Sequence, residues 1–155
     1  MLCSCAALQQ GFPSAGTVEL PRTGQTTCYD ASGSAIDCAN TGQDGDIQAG
    51  AAWPSPRFTD NSNGTVTDNL TGLVWLQDAN CVNATRDWAT ALSDVIQLNQ
   101  TGAMNGNNCG DVSNGGSHQT DWRLPNVNEL ESLINAEQAD TAIWLNTQGF
   151  SNVRS

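Results

Sequence analysis

Lysine is absent from this chain of 155 residues, histidine occurs once, and the five basic residues are all arginine. Schiff-base chemistry, lysine general bases and the phosphate-gripping lysine of a P-loop therefore have no residue to use. Sixteen acidic residues stand against the five arginines, for a net charge of −11. That field repels polyanions, which argues against nucleic-acid binding and favours a cation or a neutral ligand. None of the six cysteines forms a Cys-x-x-Cys pair, and His118 has no second histidine to join it, so a zinc site of the usual kind is unsupported. No apolar run approaches the ~20 residues of a membrane-spanning helix. Charged residues amount to 14% while Gly, Asn, Thr, Ser and Asp abound, the mix of a turn-rich secreted domain with one moderate core.

The most ordered stretch is Arg57 to Leu76, RFTDNSNGTVTDNLTGLVWL. Phe58, Val66, Leu70, Leu73 and Trp75 alternate with polar residues, predicting three short strands buried on one face. Asn63-Gly64 predicts a tight hairpin turn, and Thr71-Gly72 the next reversal. After a polar loop at 77–83, Thr85 is expected to open a helix with Asp87 in its first turn. Trp88, Leu92, Val95 and Ile96 form its expected apolar stripe, and Asn99 to Gly102 its end. Residues 103–119 read as a long glycine-rich loop, a length often reserved for function. Thr120 to Pro125 is a short extended piece, with Asp121 and Arg123 flanking Trp122. An ion pair or a hydrogen bond is expected to fix the corner there. Asn126 and Glu129 form a capping box for a second helix, with Val127, Leu130, Leu133 and Ile134 as its apolar face. From Ala136 onward periodicity is lost.

Ahead of the strands, residues 9–52 read as an irregular arm anchored by Tyr29, Ile36, Ile47 and Trp53, with a strand-like start at Leu20. Cys28 and Cys38 flank a short loop, and Cys81 and Cys109 bracket the first helix; both pairs read as disulfides of an oxidising compartment, with free buried thiols as the alternative. Residues 1–19 read as a terminal arm or the remnant of an export signal. Leu2-Cys3-Ser4-Cys5 resembles a degenerate lipobox, which would make Cys5 a lipid anchor. The alternative is a plain flexible terminus.

Taken in order, FTDNSNGTVTDNLTGLVW, a Trp-bearing helix and TDWRLPNVNELESL resemble the C-terminal domain family of the Legionella collagen-like adhesin. TGQ…DGDIQAGAAWPSPRF matches the lead-in such domains carry, so the resemblance covers about residues 20–155. It implies an α+β, C-type-lectin-like fold, with two helices against twisted antiparallel strands. It further implies an exported or cell-surface, non-catalytic module that binds a glycan or protein ligand, some relatives being trimers. Family members continue into further strands after the region matching Phe150 to Val153. A chain without them would leave a sheet edge for a second copy to complete, which makes a homo-oligomer an expected partner state and a self-assembling structural subunit of an extracellular assembly the alternative function. The adhesin that names the family binds sulfated glycans, a poor match to a chain of this charge.

Trp75, Trp88 and Trp122 are expected to share a core, leaving Trp53 and Trp144 as candidate ligand platforms, together with His118 and Asn114 on the long loop. Asp44, Asp46, Asp60 and Asp68 lie among oxygen-rich turn residues and are candidate calcium ligands, calcium being the one cofactor considered. Their alternative role is to cap turns. His118 has no serine or cysteine placed for a triad, so a hydrolase ranks last.

Overall fold

The computed structural model describes residues 20–154 together with the pair Ala6–Ala7. In chain order the elements are β1 (Ala6–Ala7), β2 (Cys28–Tyr29), β3 (Ala35–Ile36), α1 (Asp44–Ile47), β4 (Phe58–Asp60), β5 (Thr65–Asp68) and β6 (Val74–Leu76). Next come α2 (Trp88–Thr101), β7 (Ala103–Met104), β8 (Asn107–Asn108), α3 (Val127–Glu131) and α4 (Thr141–Asn146). Helices and antiparallel strands mix along the chain, so the fold is α+β. Four strands form the main sheet in the order β1-β6-β5-β4, all pairs antiparallel, with Phe58 opposite Asp68 and Val66 opposite Trp75. The three strands expected between Arg57 and Leu76 are its β4, β5 and β6. Ala6–Ala7 pairs with β6 and covers its outer edge. Cys5 lies outside the described residues.

The alternation in β6 does more than bury one face. Trp75 enters a core with Phe58, Val66, Leu133, Leu145 and Phe150, on the side covered by α3 and α4. Val74 and Leu76 point the other way, into a second core of Val95, Leu98, Met104 and Trp122 under α2. A strand covered on both faces is the centre of a three-layer stack. One buried ion pair ties the layers: Arg57 Nε and Nη2 donate to the two Asp68 carboxylate oxygens at 2.8 and 2.9 Å, and Nη2 also donates to the Ser132 carbonyl.

Several local expectations change. The first long helix starts at Trp88, and its cap is Asp87, which accepts from the Thr90 N–H at 2.7 Å. Its buried residues are Ala91, Asp94, Val95 and Leu98, while Trp88, Leu92 and Ile96 are exposed. Trp88 therefore does not join Trp75 and Trp122 in the core. The helix lies rotated from the expected stripe because the β7–β8 hairpin and the Cys81–Cys109 bridge fill the space beside Leu98. The capping box of α3 forms as expected, yet Val127 and Ile134 are exposed and only Leu133 is fully buried. A helix expected nowhere, α4, is capped by Asp140, whose side chain accepts from Ala142 and Ile143 N–H.

The turns also redistribute. Asn63-Gly64 sits in a four-residue loop, with left-handed backbone at Ser62 and Gly64 and not at Asn63. The two-residue turn of that chemistry occurs at Asn105-Gly106, φ 50° and 78°, joining β7 to β8 inside the stretch that reads as an irregular loop.

The arm is held differently from the expectation as well. Tyr29, Ile36 and Ile47 are exposed. Anchoring falls to the Cys28–Cys38 disulfide, on which α1 rests through Gly45, and to Trp53, whose indole N–H donates to the Arg22 carbonyl at 2.8 Å. Leu20 starts no strand: Pro21 makes a single bridge to Ala51. The Glu137 carboxylate clamps the arm from outside, accepting from Thr26 N–H at 2.6 Å, Thr27 N–H at 2.9 Å and the Thr27 hydroxyl.

Candidate functional site

At one end of the sheet the chain builds a polar basin of about 380 Å³. Three segments supply it. β4 ends at Asp60, whose carboxylate accepts from the Ser62 N–H at 2.7 Å and from the Gln77 side-chain amide at 3.0 Å. β6 runs out into Gln77 and Asp78, where the Asp78 Oδ1 accepts from Asn80 N–H and the Asn152 amide, each at 3.0 Å. The third segment is Asn108 to Gly110, brought alongside by the Cys81–Cys109 disulfide. Ser151 closes the rim, its N–H donating to the Gln77 carbonyl at 2.8 Å while its own carbonyl accepts from Ala79 N–H.

Gly64 lets these segments meet. Its carbonyl accepts from Gln77 N–H at 2.9 Å, and Val112 N–H donates to the neighbouring Asn63 carbonyl at 2.9 Å. A Cβ at Gly64 would collide with the Gly110 carbonyl, so only glycine allows the two backbones to touch. Farther along the same loop the buried Asp111 gathers donors from Ser113, the Gln119 N–H and the Trp122 indole. Burial pushes its carboxyl up, but these hydrogen bonds outweigh it and hold the group below the usual carboxylate range.

The basin wall therefore presents two carboxylates, the amides of Gln77 and Asn108, and the hydroxyls of Ser62 and Ser151, with no cationic side chain among its lining residues. Both N–H groups of the Gln77 amide are spent inside the fold, on Asp60 and on the Gly149 carbonyl at 3.1 Å, so the basin offers a ligand mainly acceptors and the Asn108 amide. That set suits the hydroxyls of a neutral sugar, and the carboxylates oppose a sulfate or phosphate. The Ser151 hydroxyl donates to the Gln77 carbonyl and not to a base, so it is not an activated nucleophile. A second hollow of about 310 Å³, between α3 and α4, is apolar and lined by Leu130, Leu133, Ile134, Leu145 and Val153.

A family model described as the Lcl C-terminal domain matches residues 64–155. The chain belongs to that family. No curated protein and no solved structure matches the chain. The match begins at Gly64, so Asp60 and Ser62 reach the basin of this Lcl C-terminal domain from just ahead of the matched segment.

The candidate calcium ligands do not converge in this Lcl C-terminal domain. Asp68 is committed to Arg57 in the core. Asp44 accepts from the Thr23 hydroxyl and Asp46 from the Gly42 N–H, both on the arm. Asp60 alone lines the basin. Among the described residues no three His, Cys, Asp or Glu side chains cluster as a metal site would require. Trp53 and Trp144 lie together, half-buried, with ring centroids 5.8 Å apart, and Trp144 packs on Phe58. The Arg57 guanidinium sits 4.5 Å from the Trp53 ring, so much of this aromatic surface is spent in joining arm to core. His118 packs against Gly102 at the end of α2, and Asn114 is exposed at the tip of a bridge to Ser117.

Arg123 pairs with Glu129 through its two terminal guanidinium nitrogens, at 2.8 and 2.6 Å, and Glu129 in turn accepts from the Asn126 N–H. The corner is fixed as expected, and the carboxylate on Arg123 is that of Glu129. Sequence reasoning misses Gln77, Asp78, Asn108 and Ser151 as basin residues. The one available signal is the Cys81–Cys109 pairing, which requires 108–110 to lie beside 78–81.

Proposed function

We propose that this Lcl C-terminal domain is an exported, non-catalytic adhesion module that binds a neutral, polyhydroxylated glycan in the basin between Asp60 and Asp78. The observation that carries the reading is the meeting of those two carboxylates with the Asn108 amide and the Ser62 hydroxyl, with no opposing cation among the lining residues. Two disulfides support an extracytoplasmic setting. Residues 20–155 act as one C-type-lectin-like unit in this reading, since Glu137 accepts from the arm's Thr27 N–H and Trp53 packs on Trp144 of the family-matched part.

A glycan array followed by calorimetry on neutral and sulfated sugars tests the proposal. Neutral glycans bind, and Asp60→Asn with Asp78→Asn weakens them by about tenfold or more, the effect of one or two lost hydrogen bonds. Preference for sulfated glycans, or indifference to both substitutions, would count against the basin. Two carboxylates beside a sugar also suit a glycoside hydrolase, and release of reducing ends from a bound glycan would favour that reading.

A further inference from the structure

The chain holds three Asn-Gly pairs, Asn63-Gly64, Asn105-Gly106 and Asn114-Gly115, and the fold treats them differently. In such a pair the glycine main-chain nitrogen can attack the asparagine side-chain carbonyl, because no Cβ on the following residue crowds the approach. The attack needs a side chain free to swing round and a backbone free to turn with it. Asn63 has neither. Its Oδ1 accepts from the Thr65 N–H at 3.2 Å and the Thr65 hydroxyl at 2.7 Å, and Gly64 is wedged against the Gly110 carbonyl. Asn105 is held at both ends: its N–H donates to Gln97 Oε1 at 3.0 Å and its side-chain amide to the Val82 carbonyl at 3.1 Å.

Asn114 is exposed, and its side chain makes no hydrogen bond among the described residues. The Gly115 N–H donates to no main-chain carbonyl among them, and a Cβ at Gly115 or Gly116 would meet nothing. Asp111 closes the base of this loop. One of its carboxylate oxygens accepts from the Ser113 N–H and hydroxyl and the other from the Gln119 N–H, so residues 114–118 can open without disturbing the chain outside them. Inside the loop, Asn114 and Ser117 share two main-chain bonds at 2.9 and 3.1 Å, and the Gly116 N–H reaches the Val112 carbonyl at 3.2 Å.

We propose that Asn114-Gly115 is a self-modifying site, at which the chain deamidates through a cyclic imide with water as its co-reactant. The Gly115 nitrogen gives up its proton and bonds to Asn114 Cγ. The Cγ–Nδ2 bond breaks, and the nitrogen leaves as ammonia with that proton. Water then opens the ring. Cleavage at Cγ leaves an aspartate, whereas cleavage at the main-chain carbon leaves a β-aspartyl link that adds one methylene to the backbone. Either product puts a carboxylate on the exposed tip of a chain already at −11. The tip therefore passes with age from neutral to anionic, in the same loop whose residues 108–110 wall the basin.

Peptide mapping by mass spectrometry tests this on the full chain, aged at neutral pH with its disulfides intact, and isoaspartyl methyltransferase labelling reports the β-aspartyl product. Asn114 is expected to convert about tenfold or more faster than Asn63 or Asn105, the ratio that their side-chain hydrogen bonds support. In urea, with the disulfides reduced, the three pairs should converge to similar rates, because only the fold ranks them. The rate at Asn114 should rise with pH, since the attacking nitrogen must shed a proton. Gly115→Ala should slow conversion and Asn114→Gln should stop it at that position, with the near-ultraviolet circular dichroism of the buried tryptophans unchanged. An Asn114 that stays intact in the folded chain overturns the inference, and so does conversion of Asn63 or Asn105 at an equal rate. Acid formed at Asn114 with no β-aspartyl product overturns it as well, since direct hydrolysis needs no ring.

Discussion

Gly64 shows how much can rest on a missing methyl group. Its φ of +81° strains any side chain, its contact with the Gly110 carbonyl excludes one, and the basin's three segments meet around it. Gly64→Ala should cost about 3 kcal/mol, combining left-handed strain with overpacking, as measured from the urea midpoint. Gly72→Ala, where a Cβ meets nothing, should cost only the backbone part, about 1 kcal/mol.

Glu137 works through its charge. The Thr27 hydroxyl and the Thr26 and Thr27 N–H groups hold its pKa down to about 2 against an ordinary 4.5. A group depressed in the folded state contributes stability that is fully present above the unfolded value and lost as pH falls through the folded one. The clamp should therefore hold the arm above about pH 4.5 and release it toward about pH 2. Limited proteolysis of residues 20–53 across that range should show the loss in the wild type. Glu137→Gln should be cleaved readily at every pH and show little pH dependence of its own.

Among the elements, the 103–119 stretch departs most from its sequence-based expectation. Glycine and asparagine dominate it and predict a loop, yet Asn105-Gly106 closes the β7–β8 hairpin and Asp111 organises the segment up to Trp122. The Asn-Gly signal is legible there, but few apolar residues flank it, whereas at Asn63-Gly64 they do. At Asn63 the side chain accepts from Thr65 N–H and hydroxyl, and this local turn replaces the tight hairpin geometry. The Cys81–Cys109 bridge ties this element to the exit of β6 across 28 residues. Replacing both cysteines with serine should cost about 3 kcal/mol by calorimetric melting, and should loosen the basin more than the core. Glycan affinity is expected to fall in that variant even at temperatures where it remains folded.

On the scale of the whole molecule, the charge of −11 sets the conditions under which the fold is comfortable. Three ion pairs employ Arg57, Arg86 and Arg123, leaving an acidic surface with few nearby cations among the described residues. Self-repulsion of that surface should make the melting temperature rise between about 10 and 200 mM sodium chloride, where the Debye length shrinks from about 30 Å to below 10 Å. A melting temperature that is flat or falling with salt would mean that the ion pairs outweigh the repulsion. No helix among the described residues is long and apolar enough to cross a membrane.

Local chemistry alone determined a good part of this protein. Period-2 alternation placed the three strands, Asn126 and Glu129 announced their capping box, and Cys28 and Cys38 flanked their loop, because each depends on residues near in sequence; the longer Cys81–Cys109 pairing was readable from the helix that the two cysteines bracket. The order of motifs was enough to point to the family. Tertiary structure decided the rest. Which side of α2 is buried depends on what the β7–β8 hairpin and the disulfide leave open beside it, and the helix's apolar arc is too wide for periodicity to choose. The basin is likewise a product of the fold. Asp60, Asp78, Asn108 and Ser151 are separated by as much as 91 positions and meet only through the glycine contact, the disulfide and the closing rim.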